Sequence, residues 1–233
     1  MQSYPLLRKP RMNSNKKLYI FGDSFSTNFS TCQTIEKEKT WPYLLSNKLN
    51  LKIEDHAHSG ISNQGMLQMI YRNLNIDDCG MIIFGLTFFH RIYDFYKNSG
   101  IDLKISDTEL LKNGINDYEI NYYRKKMLDE VQYDESIKQQ LEQFHFIFRT
   151  LKSTNKPFFF WSLDRSNIYF YEKLTKDFKK ELIKSPVGTD DWFKPFIDVN
   201  VEWGQMNSDK HFGEYGHNQF FQYLYQYIQP KLI

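Results

Sequence analysis

A chain of 233 residues with 41% hydrophobic and 17% aromatic side chains can bury one sizeable core, and its length fits a single α/β domain spanning the whole sequence. The net charge of +2 is too small to mark a nucleic-acid partner, and the pairs Lys16-Lys17, Lys125-Lys126 and Lys179-Lys180 lie beside acids, as on a solvated surface. Cys32 and Cys79 lack Cys-x-x-Cys spacing and a companion His pair, so no metal or other cofactor is expected; reduced thiols are the default, with a disulfide left open.

The segment from Met1 to Lys17 is basic but has no apolar stretch of the secretory kind, and no run approaches the length of a membrane span. The expectation is a soluble protein with a flexible N-terminus over about residues 1–15, cytoplasmic where it is made or carried to its target on a particle, with no membrane partner.

Short apolar runs alternate with longer amphipathic ones, the pattern of a parallel sheet covered by helices. Lys17 to Phe21 predicts the first strand. It breaks at Gly22, which lets the chain turn sharply and presents Ser24 on the turn. On residue types alone, Gly-Asp-Ser is equally a turn tripeptide. Trp41-Pro42 with Leu44, Leu45 and Leu49 predicts a helix capped by Thr40. Leu51 to Glu54 predicts a second strand, followed by the glycine loop His58-Ser-Gly-Ile-Ser-Asn63.

Met66, Leu67, Ile70, Tyr71 and Leu74 recur at helical spacing from about Asn63 to Leu74, and these methionines read as core. Met81 to Gly85 predicts a central third strand. Residues from about 90 to 130 then break the rhythm with polar and aromatic side chains, as an insertion above the carboxyl ends of the strands would. A helix is predicted from about Asp134 to Ser153, with His145 off its apolar face, then a buried strand from Lys156 to Leu163. A fifth strand is expected near Asp198 to Glu202. The aromatic stretch from Asn218 to Ile228 predicts a closing helix.

Before that helix, Asp209 and His211 stand two residues apart, where a carboxylate can reach round to orient an imidazole. A solvated loop pair is the alternative on residues alone. His217 falls where the last helix begins, a position for packing or capping rather than for a base.

Taken together, Phe21-Gly-Asp-Ser-Phe-Ser26, the Gly60 loop and the Asp209/His211 pair with Gly216-His217 resemble the blocks of the SGNH hydrolases, also called GDSL esterases and lipases, in the right order and across almost the whole chain. The resemblance implies a three-layer α/β/α sandwich around a mostly parallel five-stranded, flavodoxin-like sheet. It implies Ser24 as nucleophile, His211 as base, Asp209 as orienting acid, and an oxyanion hole built from the N–H groups of Ser24 and Gly60. The family's third block carries Gly-x-Asn-Asp, and here Thr87 stands at the Asn position. The hole is then weaker or borrows a donor such as Asn63. The final block has Asp-x-His where Asp-x-x-His is usual, a spacing also met in some branches.

What this implies is a serine esterase acting on a carboxylic ester. The aromatic insertion, with Arg91 and Asp23 as candidate substrate contacts, favours an O-acyl, especially acetyl, group on a carbohydrate. The partner is then a small-molecule or glycan ester. An O-acetyltransferase uses the same triad, and a non-catalytic glycan-binding or assembly protein can retain the same fold; these alternatives stay open at this stage. A dinucleotide or phosphate-loop site is excluded because the first turn has neither Gly-x-Gly-x-x-Gly nor Gly-Lys-Ser/Thr.

Overall fold

The structure, a computed structural model, describes residues 15–26, 35–87, 91–94, 99–102, 118, 121, 133–162, 175–181 and 211–232. The run Lys17–Phe21 forms β1, flanked on both sides by parallel neighbours; after Lys17, which pairs with Glu54 and Asp78, it is buried at every position because both faces of the sheet are covered. β2 (Lys52–Asp55) lies on one side of it and β3 (Cys79–Leu86) on the other. After the antiparallel pair β4 (Arg91–Asp94) and β5 (Ser99–Asp102), β6 (Phe158–Ser162) adds to the far side of β3. The sheet order is therefore β2-β1-β3-β6.

Alternation along the strands divides the core in two. Leu18, Ile20, Met81, Ile83, Phe159 and Trp161 face one layer, which is covered by α1 (Trp41–Leu49) and by a C-terminal helix, Glu214–Ile228. Tyr19, Phe21, Ile82, Phe84, Phe158 and Phe160 face the other, covered by α2 (Asn63–Asn73) and α3 (Tyr133–Ser153). A short α4 (Lys176–Glu181) precedes the C-terminal helix, α5. This is the expected α/β/α sandwich. Every strand of the main sheet runs parallel, so their carboxyl ends share one rim. Ligand sites in open parallel sheets collect at such a rim.

The main sheet has four strands among the described residues; the fifth strand anticipated near residues 198–202 lies outside them. Two expectations are corrected. The helix anticipated from Asn218 begins at Glu214, because Gly213 takes the extended N-cap conformation and Glu214 supplies a favourable charge to the first turn. Thr40 has N-cap backbone geometry, but its side chain makes no cap; its hydroxyl donates to the Lys37 carbonyl instead at 2.6 Å. His145 is half-buried on α3, as a boundary residue should be. Much of the 90–130 insertion lies outside the described residues, and what is described includes the β4–β5 pair. No helix among the described residues is long and apolar enough to cross a membrane.

Candidate active site

The turn after β1 is made by its own residues. Ser26 N–H donates to the Asp23 carbonyl at 2.9 Å, and Phe25 N–H donates to Asp23 Oδ1 at 3.1 Å, so the Asp23 side chain mimics a backbone turn. Gly22 leaves no space for a side chain, since a Cβ there would collide with Ser26. Ser24 sits at the crest of this turn and is 8% exposed.

The second loop is laced to the end of β1. His56 N–H donates to the Ile20 carbonyl and His58 N–H to the Gly22 carbonyl, both at 2.9 Å, extending the parallel ladder past β2. The chain then reverses between His58 and Ile61, closed by Ile61 N–H to the His58 carbonyl at 3.3 Å. Gly60 has φ of 75° in this turn, a conformation that glycine adopts without the Cβ penalty of other residues. The His56 ring lies against Phe21 with centroids 5.4 Å apart, and burial pushes its pKa below the ordinary histidine value.

Asn63 opens α2 behind Ser62, whose hydroxyl caps the helix by accepting from Gly65 N–H at 3.1 Å. The Asn63 amide reads the Thr87 peptide at both ends: its Oδ1 accepts from Thr87 N–H at 2.9 Å and its Nδ2 donates to the Thr87 carbonyl at 3.2 Å. Thr87 Oγ1 donates to Asp23 Oδ2 at 2.6 Å. The loops after β1, β2 and β3 are thus tied at one buried residue, Thr87.

From the opposite end of the sequence, His211 brings Nε2 to 2.7 Å from Ser24 Oγ. Its ring stacks on Phe25 with centroids 4.5 Å apart and an interplanar angle of 27°. The next residue, Phe212, is fully buried and meets Phe25 edge-on at 5.6 Å and Phe220 of α5 in a stack at 5.5 Å. Ser24-Phe25 and His211-Phe212 therefore pack as two interlocked dipeptides. A serine hydroxyl against a histidine nitrogen at this distance can pass its proton to the ring when the oxygen attacks an electrophile.

Of the residues expected at the site, Ser24, His211, Gly60, Thr87 and Asp23 lie on loops at the carboxyl rim of the sheet, and Asn63 lies there at the start of α2. Two are turned differently from expectation. The Thr87 hydroxyl, read as an oxyanion donor, directs its proton to Asp23; Asp23, read as a substrate contact, is 2% exposed and holds Phe25 N–H and Thr87 Oγ1. Asp209 and the side chain of Arg91 lie outside the described residues.

Residue spacing gave no notice of Trp41. Its indole N–H donates to the Phe25 carbonyl at 2.8 Å, and its backbone N–H donates to His217 Nδ1 at 3.3 Å. The signal available was only that Trp41 and His217 each stand at a helix start.

The fold that carries these residues recurs in solved esterases. The psychrotrophic esterase EstA from Pseudoalteromonas sp., in a form inhibited by monoethylphosphonate, superposes with a TM-score of 0.52 at 13% identity, covering 94% of this chain and 98% of that one. The chain has the SGNH-hydrolase fold. The acetyl xylan esterase AlAXEase shares this fold at a TM-score of 0.51 and 12% identity, over 90% of this chain and 98% of the other. A carbohydrate esterase family 2 enzyme with a carbohydrate-binding domain, from Corynascus thermopiles (Myceliophthora fergusii), gives 0.52 and 12%, over 98% of this chain and 69% of its own. No protein-family model matches the sequence, and no curated protein matches it. At such identities the likeness lies in the SGNH architecture, while the side-chain chemistry has to be argued from this chain's own residues.

Proposed function

We propose that the protein is a serine esterase that removes an O-acyl group, most simply acetyl, from a carbohydrate. The observation that carries this reading is the 2.7 Å contact between Ser24 Oγ and His211 Nε2, made by residues 187 positions apart. In the proposed reaction His211 takes the Ser24 proton as Oγ attacks the ester carbonyl. The tetrahedral oxyanion is held by the N–H groups of Ser24 and Gly60, which no other group takes up among the described residues. His211 then gives its proton to the departing sugar hydroxyl, leaving an acyl-Ser24 ester. Water attacks that ester while His211 accepts its proton, and collapse releases the carboxylate and restores the serine. Asp209 is proposed to hold the His211 imidazole in the tautomer that leaves Nε2 free to accept.

The carbohydrate assignment draws support from the acetyl xylan esterase and the family 2 carbohydrate esterase among the structural neighbours, and from the aromatic residues of the 90–130 segment, whose rings suit sugar faces. Arg91 is kept as a proposed substrate contact. Measuring acetate release from acetylated xylo-oligosaccharides beside p-nitrophenyl acetate tests it: a kcat/KM higher on the sugar ester supports the assignment, and turnover of the aryl ester alone overturns it.

One observation favours a second reading. With the Thr87 hydroxyl held by Asp23, the proposed oxyanion hole has two backbone donors, and one missing donor costs on the order of 10²-fold in rate. A slow hydrolase can serve instead as an O-acetyltransferase or as a glycan-binding protein. Acetyl appearing on an added sugar acceptor faster than free acetate would establish transfer; glycan binding without turnover would establish the binding role.

A further inference from the structure

α1 begins at Trp41, whose N–H is one of the donors that the helix itself cannot satisfy. The Thr40 side chain does not cap it. The acceptor comes from α5 instead: His217 Nδ1, at 3.3 Å, a residue 176 positions away. To accept there the ring must be neutral and carry its proton on Nε2. It is 7% exposed, and burial, with His211 nearby, lowers its pKa to about 4, so the accepting state holds at neutral pH.

The same Trp41 then acts in the opposite direction. Its indole reaches back across the core, edge-on to Trp161 and Phe220, and donates to the Phe25 carbonyl at 2.8 Å. Phe25 follows the serine directly and is the surface on which His211 lies. The His217 ring also meets Phe212, the residue after His211, with centroids 5.5 Å apart. One buried histidine thus bears on both halves of the Ser24–His211 pair: through Trp41 on the serine turn, and through Phe212 on the histidine.

We propose that His217 is a positioning residue that, through Trp41 and the Phe25 carbonyl, holds the Ser24 turn at the distance and angle His211 requires. This rests on the reading of Ser24 and His211 as nucleophile and base. The role is separable from stability, since misplacing a nucleophile by about 1 Å can cost on the order of 10²-fold in rate even in a folded enzyme. In this role His217 acts through Trp41 and Phe212 and takes no proton in the reaction.

The test is the rate at which an ethyl p-nitrophenyl alkylphosphonate loses p-nitrophenolate to the full chain, with melting temperature recorded for each variant. Wild type, Ser24→Ala, His217→Leu, His217→Asn and Trp41→Phe are compared. Asn places an acceptor oxygen near the site of Nδ1; Leu supplies none. Expected is one equivalent of p-nitrophenolate from wild type, none from Ser24→Ala, a bimolecular rate roughly tenfold or more lower for folded His217→Leu, and recovery of most of that loss in His217→Asn. Trp41→Phe, which deletes the bond to the Phe25 carbonyl but keeps the backbone N–H, is expected to slow the reaction similarly, and it decides the matter should His217→Leu not fold. Wild-type rates in folded His217→Leu or Trp41→Phe, whatever their melting temperatures, would overturn the positioning role alone. Absence of a Ser24-dependent equivalent from the wild type would overturn the nucleophile reading and the positioning role with it.

Discussion

Asp23 and Thr87 meet in the interior, with Thr87 Oγ1 donating to Asp23 Oδ2 at 2.6 Å although 64 residues separate them. The bond joins the turn that carries Ser24 to the loop after β3, and both residues are buried. A hydroxyl committed in this way steadies the turn that carries Ser24.

Replacing Thr87 by Val keeps the shape and removes the hydroxyl that donates to the buried Asp23 carboxylate. The expected loss of stability is about 2 kcal/mol, read from urea unfolding midpoints, with Thr87→Ser retaining most of the wild-type value because it keeps the hydroxyl.

The Asn63 amide holds the Thr87 peptide through two bonds. Asn63→Asp exchanges the Nδ2 donor for an acceptor that faces the Thr87 carbonyl. It should cost about 2 kcal/mol at neutral pH, and Asn63→Leu, which removes both bonds to the buried Thr87 backbone, should cost a similar amount; thermal unfolding of both variants checks this.

Gly60, with φ of 75°, tolerates no side chain cheaply. Gly60→Ala is expected to destabilise by about 1–2 kcal/mol and to lower kcat more than it raises KM, because the reorientated N–H is one of the two proposed oxyanion donors. Steady-state kinetics separates the two parameters; an unchanged kcat would remove Gly60 from the hole.

Acid should loosen the fold through histidine burial. The pKa of His217 is about 4 against an ordinary 6.5, and those of His56 and His145 are also lowered by burial. The unfolded chain therefore binds more protons than the native state between those values, and stability falls as pH drops through that window. For His217 the lost increment is about 3 kcal/mol, complete below its folded pKa. Unfolding midpoints of the wild type should fall from neutral pH toward pH 4 more steeply than those of His217→Asn, which has no proton to gain there.

Much of this was legible in the chain before any coordinates. The strands Lys17–Phe21 and Phe158–Ser162 are largely apolar without alternation because helices cover both faces of the sheet, and Gly22 ends the first of them where the turn must be tight. Ser24 and Gly60 could be placed because each follows a recognisable strand, and His211 because it stands just ahead of the closing helix. What could not be read is where side chains point. Nothing local tells that the Thr87 hydroxyl turns to Asp23, or that Trp41 finds the Phe25 carbonyl 16 residues back. α5 starts a few residues ahead of the aromatic stretch that marks it in the sequence, because Gly213 serves as the N-cap and Gly216 is buried inside the first turn.

The most direct test of the central claim is turnover of p-nitrophenyl acetate by the purified wild type beside Ser24→Ala and His211→Ala. The account predicts sustained release of p-nitrophenol by the wild type and a fall to background in both variants, with their folds intact by circular dichroism. Equal rates in all three proteins would contradict it, since the Ser24–His211 contact would then have no part in ester cleavage.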